Sequence, residues 1–229
     1  MSLILSIETA TRTCSVALHT ETQLLATQTL YVANSHAEML HQTIEHLLAI
    51  SARTIQDLEA VAVSNGPGSY TGLRIGFSVA KGLCYALELP LIAIPTLSAM
   101  AHGIQPYNTE QALRCPMIDA RRMEVYCMLV DAQDRVLMPL CAMVVDDASF
   151  QAYLQHTPVL FFGDGAAKCR PLLMRHSNAS FVEDVTPTAQ SIGQLAQKKF
   201  QQGIFEDLAS AVPIYLKPFG GKPSTSADR

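Results

Sequence analysis

The feature that most constrains this fold is an order of elements that occurs twice without any repeat of residues. Leu3–Ile7, Cys14–His19 and Gln23–Leu30 read as three short strands divided by Thr/Arg and Glu-Thr turns. Ser35-x-x-Glu38 forms a capping box: the serine hydroxyl accepts the Glu38 amide and the Glu38 side chain reaches back to the cap. The helix it opens places Leu40, Ile44, Leu47 and Leu48 on one face. Thr54–Asp57 then turns the chain into Leu58–Ser64, a continuous apolar run typical of a strand buried on both sides. A Gly-Pro-Gly loop, a helix over about Thr71–Leu87, a strand Leu91–Ile94 and a helix from near Thr96 complete the first half.

The second half predicts the same succession. Pro116–Ala120, Glu124–Val130 and Val136–Val144 read as strands, Asp146–Gln155 as a helix, Val159–Gly163 as a strand and Ala166–Arg175 as a helix. A further helix over Thr188–Gln202 puts Ile192, Leu195, Ala196 and Phe200 on its inner face, with Lys198-Lys199 in its last turn and Gly203 as its stop. The expectation is an α/β chain of two β-β-β-α-β-α units. One lobe spans 1–105 and the other 106–219, joined near Gly103–Arg114, and the polar residues 220–229 are expected to be disordered.

Length and charge narrow the class. With 229 residues, 49% of them apolar, the chain can bury full cores without disulfides or metal. The opening segment meets Glu8 before any signal-like run, and no stretch approaches the ~20 apolar residues of a membrane span, so a cytoplasmic protein with no membrane role is expected. The six cysteines are spaced by 70, 31, 12, 14 and 28 with no Cys-x-x-Cys, which argues against zinc and for buried free thiols. Residues 1–105 carry 4 basic and 7 acidic side chains against 12 and 13 in the rest, so the first half is half as dense in charge. A surface so poor in charge is expected to be covered in part by a partner or a second copy.

The densest local signal is Ser64-Asn-Gly-Pro-Gly-Ser-Tyr-Thr-Gly-Leu-Arg-Ile-Gly76, between a strand and a helix. Amides at such a helix start can receive an anion such as phosphate, but the spacing is neither that of a P-loop nor that of a dinucleotide fingerprint. A tight strand-to-helix turn accounts for it equally well. Gly72, Gly76 and Ala80 recur every four residues, which suits close approach either by a partner helix or by the chain's own sheet.

Together these residues carry a resemblance. Ile4-Leu-Ser-Ile-Glu-Thr-Ala-Thr11 with Cys14-Ser-Val-Ala-Leu18, the Gly-Pro-Gly block, Asp119-Ala-Arg-Arg-Met-Glu-Val-Tyr126 and Pro213-Ile-Tyr-Leu-Lys217 resemble the TsaB (YeaZ) family, in order over residues 3 to about 217. Met123 departs from it, standing where the family more often has glycine. The resemblance implies a two-lobed actin/sugar-kinase-like (ASKHA) fold, ribonuclease H-like in its units. It implies a non-catalytic subunit that pairs with the catalytic paralogue TsaD and the ATPase TsaE, for threonylcarbamoylation of the adenosine beside the anticodon in tRNAs that read codons beginning with adenine.

The chemistry of the residues bears on that implication. An ATP-cleaving protein of this superfamily needs a carboxylate for Mg²⁺ and glycines that let amides touch phosphate, yet Glu8-Thr-Ala-Thr-Arg-Thr13 and Asp119-Ala-Arg-Arg-Met123 contain no glycine. No cofactor is therefore expected to bind this chain strongly alone, with ATP or ADP placed at the interface of the complex. The residues nearest a nucleotide would be Glu8, Thr9, Gly66, Gly68, Ser69, Asp119, Arg121, Gly163 and Gly165. Where the paralogue carries a His-x-x-x-His metal pair this chain has Ser98 and His102, and His36, His41 and His46 are spaced so that they cannot converge, so no metal is expected. The family has been grouped with glycoproteases, but neither Gly-x-Ser-x-Gly nor His-Glu-x-x-His occurs. A net charge of −4 opposes direct tRNA binding, so tRNA is expected to be held through partners.

The partner seam is expected on the first two helices, at Met39, Leu40, Thr43, Leu47, Gly76, Ser78, Val79 and Leu83, with a homodimer through the same face when TsaD is absent. The competing expectation is a stand-alone ATPase or small-molecule kinase of the same fold.

Overall fold

The computed structural model describes residues 2–31 and 36–217, apart from the side chain of residue 36. The Ser35 cap and the 220–229 tail lie outside the described residues. Two mixed five-stranded sheets form the frame. The first contains β1 (Ile4–Glu8), β2 (Cys14–His19), β3 (Leu24–Leu30), β4 (Ala60–Ser64) and β5 (Leu91–Ile94) in the order β3-β2-β1-β4-β5. The second contains β6 (Leu113–Asp119), β7 (Glu124–Val130), β8 (Val136–Val144), β9 (Val159–Phe162) and β10 (Ala179–Val182) in the order β10-β9-β6-β7-β8. Read from the opposite edge, the second order is the first. In each sheet the opening strand runs antiparallel to the second and parallel to the fourth, with Ile7 opposite Val16 and Val63 in the first and Asp119 opposite Val125 in the second.

The central strands β1 and β4 are buried along their whole length, which is why β4 reads as an apolar run and why even Ser6 and Glu8 of β1 are shut away from solvent. Edge strand β3, rich in Thr and Gln, stays half-exposed. The duplication extends further than the sequence suggested, because β10 pairs parallel with β9 as β5 does with β4. The helices are α1 (His36–Ile50), α2 (Tyr70–Leu87), α3 (Thr96–Ile104), α4 (Gln151–Leu154), α5 (Ala166–Leu173) and α6 (Ala189–Gln201). The helix expected over Asp146–Gln155 shrinks to α4. Asp146 instead accepts from the Ala148 amide at 3.1 Å and the Ser149 hydroxyl at 2.8 Å, a local turn that competes with helix, and Phe150 follows at φ 63°.

Helices α1 and α2 cover one face of the first sheet, where Leu40, Ile44 and Leu47 meet Leu5, Ile7, Val16 and Val63. Helix α5 and the α4 segment cover the outer face of the second sheet. Between the sheets lie α3 and α6, and they cross over. Helix α6, from the end of the chain, packs Ile192 and Ala196 on Ile4, Ala62, Ile92 and Ile94 of the first sheet. Its Lys199 ammonium donates to the Ala93 carbonyl at 2.9 Å. Helix α3, from the first half, packs Leu97, Met100 and Ile104 on Ile118, Met128, Val130 and Phe162 of the second. Arg114, wholly buried on β6, locks this arrangement by donating to the Ala101 carbonyl at 2.7 Å, to the Asp131 carbonyl and to the Asp134 carboxylate at 2.9 Å. Among the described residues no helix is long and apolar enough to cross a membrane.

Candidate functional site

The site is built at the carboxyl ends of β1 and β4, where open α/β sheets receive ligands. Glu8 closes β1 and is fully buried. Its Oε1 accepts from the Ala10 amide at 2.5 Å and the Ser64 hydroxyl at 2.9 Å, while Oε2 has no hydrogen-bond partner among the described residues. Burial pushes its pKa up to about 7 against the pull of those donors. The turn that follows lies directly on the start of α2. Thr9 Oγ1 donates to the Gly72 carbonyl at 2.8 Å and the Ser69 amide donates to the Ala10 carbonyl at 2.6 Å.

That contact explains the glycines. A Cβ on Gly68 would stand 2.3 Å from the Ala10 carbonyl oxygen, one on Gly72 2.1 Å from that of Thr9, and one on Gly76 2.3 Å from Thr9 Oγ1. The helix start that could have received a phosphate receives the chain's own carbonyl. Gly66 (φ 102°) shapes the turn, and a Cβ there would meet the Ile214 carbonyl oxygen at 2.8 Å. Ser69 caps the helix by accepting from the Gly72 amide at 3.2 Å.

The second half repeats the device. After β9, Gly163 (φ 100°) and Gly165 press on β6: Cβ atoms there would fall 2.2 Å from the Met117 carbonyl oxygen and 2.8 Å from the Ile118 carbonyl carbon. Asp119, the counterpart of Glu8, is exposed, with its carboxylate held by the Lys168 ammonium and the Arg121 amide. Burial raises its pKa, but Lys168, the Arg121 amide and the charge of Arg12 outweigh this and leave it below the usual carboxylate value. Arg12, on the first hairpin, is thus within electrostatic reach of the second. Arg121 and Arg122 both adopt left-handed backbone, φ 73° and 52°, at the hairpin tip where glycine or asparagine is usual.

A strap over residues 203–217 runs from β5 along α2 and the turn before it to the start of β7. Glu206 bridges to Leu91, and Lys81 donates to the Ala211 carbonyl at 3.1 Å. The Ile214 amide donates to the Asn65 carbonyl at 2.7 Å, Tyr215 packs on Tyr70 at 4.7 Å between ring centroids, and Lys217 pairs with Glu124 on β7. The sequence marked Pro213–Lys217 only as a motif. Its side chains give no periodicity, so its place along α2 was not readable. Of the histidines, His102 approaches Asp134 at 3.4 Å and His41 pairs with Glu45 at 3.1 Å. Ser98 points its hydroxyl to the Met128 sulfur. Among the described residues no three His, Cys, Asp or Glu side chains are grouped to hold a metal.

Comparison with known proteins places this architecture. The family model of TsaD, tRNA N6-adenosine threonylcarbamoyltransferase, matches residues 30–223. The tRNA threonylcarbamoyladenosine biosynthesis protein TsaB of Bacillus subtilis is 30% identical over 197 residues, covering 85% of this chain and 81% of that one. The chain belongs to the TsaB (YeaZ) family. The Escherichia coli TsaB is 39% identical over 123 residues, a match that spans 54% of this chain and about half (52%) of that protein. YeaZ from Pseudomonas aeruginosa superposes with a TM-score of 0.80 at 26% identity, over 94% of this chain and 100% of that one. The activator of 2-hydroxyisocaproyl-CoA dehydratase from Clostridium difficile shares the fold alone, with a TM-score of 0.51 at 10% identity. Membership in the TsaB family places the chain in tRNA threonylcarbamoyladenosine biosynthesis.

Within this TsaB fold the seam residues divide. Leu40, Thr43 and Leu47 of α1 and Gly76 of α2 are buried inside the chain, the first three against the sheet and its neighbours and Gly76 under Thr9. Buried in this way, these four offer no free surface to a partner, and the expected seam is left to its remaining members. Met39, Val79 and Leu83 are half-buried and Ser78 is exposed, so these four remain at the surface. Further along α2 the exposed positions are Gly82, where a Cβ would meet nothing within 4 Å, and Tyr85, 81% exposed. Of the residues expected near nucleotide, Glu8, Thr9, Gly66 and Gly165 are buried, Gly68 and Gly163 are half-buried against the chain's own backbone, and Ser69, Asp119 and Arg121 face solvent.

Proposed function

We propose that this chain is a non-catalytic partner subunit of the tRNA threonylcarbamoyl transferase assembly, pairing with TsaD and joined by the ATPase TsaE. The observation that carries this reading is the filling of both strand-to-helix turns. At the starts of α2 and α5, where amides could otherwise receive an anion, the Ala10 and Met117 carbonyls occupy the turns, and the two hairpins themselves carry no glycine. Glu8, the carboxylate in the place of a metal-bearing acid, is sealed beneath the first of them. On this reading ATP or ADP binds at the interface of the assembly, with the exposed Asp119–Arg121 tip as the part of this chain nearest to it, and tRNA is held through the partners.

The surface offered to TsaD, or to a second copy when TsaD is absent, is the outer crest of α1 and α2 at Met39, Ser78, Val79 and Leu83. The exposed glycine at position 82 favours this reading, because glycine inside a solvated helix costs about 1 kcal/mol relative to alanine and nothing within this chain requires it. The deciding experiment is threonylcarbamoylation of tRNA by TsaD, TsaE and the adenylate-forming enzyme with and without this chain. Product that depends on the chain, with no ATP hydrolysis by the chain alone, is the expected result. Product formed equally without it, or steady hydrolysis by the isolated chain, would return the stand-alone ATPase.

A further inference from the structure

Four of the six cysteines, Cys115, Cys127, Cys141 and Cys169, line the core on the outer face of the second sheet, whereas Cys14 and Cys84 lie in the core of the first. Two of the four stand in a particular relation. Cys127 of β7 and Cys141 of β8 are directly opposite in an antiparallel pair, with their sulfurs 3.9 Å apart. Directly opposed antiparallel residues have Cα atoms about 4.5 or 5.5 Å apart, and both values fall within the roughly 4.4–6.8 Å that a disulfide spans. Rotation of the two side chains brings the sulfurs together without moving the strands.

The surroundings favour that closure. Strand β8 is the edge of its sheet, and its pairing with β7 slips between Cys127 and Leu129, leaving an irregularity around Pro139 beside the thiols. A ladder interrupted in this way yields locally more easily than a regular central strand. The two thiols are also unlike. Cys141 is half-buried and open on the edge, whereas Cys127 is wholly buried beneath it.

We propose that Cys127 and Cys141 form a reversible disulfide under peroxide, with Cys141 as the reacting thiol and Cys127 as the resolving one. The Cys141 thiolate attacks one peroxide oxygen and breaks the O–O bond, giving a sulfenic acid and, after protonation, one water. The Cys127 sulfur then attacks the Cys141 sulfur. The S–O bond breaks and the hydroxyl leaves with the Cys127 proton as a second water. The two thiols lose two electrons and the peroxide gains them, and a dithiol reductant reverses the change. Burial raises the Cys127 thiol pKa and slows its attack, so the sulfenic acid at Cys141 lives long enough to be trapped. The bridge fixes edge strand β8 to the strand whose first residue, Glu124, holds Lys217 and Lys168.

The test treats the full-length folded protein with hydrogen peroxide, blocks remaining thiols in denaturant and maps the peptides. The expected result is a Cys127–Cys141 linked peptide that disappears with dithiothreitol, with Cys14 and Cys84 still alkylated. Cys127→Ser should lose the bridge and accumulate a dimedone adduct on Cys141. Cys141→Ser should lose both, and Cys84→Ser should change neither, with circular dichroism reporting that each variant is folded. Alkylation of all six thiols after peroxide, a bridge from Cys127 to Cys115 or Cys169, or a dimedone adduct on Cys127 in folded Cys141→Ser would each overturn the proposal.

Discussion

The Thr9 hydroxyl donates to the Gly72 carbonyl at 2.8 Å, across a gap in which a single added methyl on the glycine would stand 2.1 Å from the Thr9 carbonyl oxygen. The first hairpin and α2 are therefore held at the closest approach that the backbone allows.

Two glycines of the same helix should answer alanine with opposite signs. Gly72→Ala must push hairpin and helix apart, and overpacking of this kind costs about 1–3 kcal/mol, more than the helical preference for alanine returns. Gly82→Ala meets nothing within 4 Å and should gain up to about 1 kcal/mol. Urea unfolding midpoints measure both, and a Gly72→Ala protein as stable as the parent would show that the hairpin is free to move.

Two buried titratable groups should pull stability in opposite directions with pH. Glu8 titrates near 7 in the fold against 4.5 outside it. The folded state therefore holds its proton longer, a contribution complete below pH 4.5 and lost as pH rises through 7. His19, buried on β2 under α6, titrates near 4 against 6.5, because burial disfavours its charged form. Its contribution is complete above pH 6.5 and is lost as pH falls through 4. Each is on the order of 3 kcal/mol, so over pH 4.5–6.5 they largely cancel. Glu8→Gln should unmask His19: relative to the parent, its stability should be higher at pH 8 than at pH 5. An unchanged difference between those two pH values would remove Glu8 as the titrating group.

Arg114 should behave as a structural residue despite its charge. Replacement by methionine takes the buried donor from the Ala101 carbonyl, at about 1–3 kcal/mol, leaves the Asp131 carbonyl only the Asp134 amide, and strips the Asp134 carboxylate of its guanidinium. The expected outcome is a loss of several kcal/mol in chemical denaturation, with α3 amides losing hydrogen-exchange protection first. Protection lost elsewhere before α3 would contradict this role.

The crest of α1 and α2 separates a partner role from a core role. Leu40→Asp should unfold the chain, since Leu40 is 0% exposed. Ser78→Arg, at an exposed position, should leave the unfolding midpoint within about 0.5 kcal/mol of the parent and weaken capture of TsaD at least tenfold. Full TsaD binding by Ser78→Arg would place the interface elsewhere.

The sequence made the succession of strands and helices legible because buried strands such as β4 leave apolar runs and the helices leave clear periodic faces. It missed β10 because Ala179–Val182 is four partly exposed residues, too short for alternation to register. It overextended the helix at Asp146 because a residue that can cap a helix can equally fold back on its own loop. The glycine block was found, but not its purpose: whether a glycine admits a phosphate or a neighbouring carbonyl depends on a hairpin 60 residues away in the chain. Which seam residues belong to the core was not legible for the same reason, since Leu40 and Met39 are adjacent apolar residues that only the packing tells apart.

The crossing of α3 and α6 has a consequence for how this chain is made. When the first five strands have left the ribosome, α1 and α2 can cover one side of their sheet, but the other side, with Ile4, Ala62, Ile92 and Ile94, gains only Ala99 of α3 until residues 189–201 bring Ile192 and Ala196. From the completion of β5 at Ile94 until α6 is made, the nascent first half therefore keeps much of an apolar face open, and α6 is the helix that closes it.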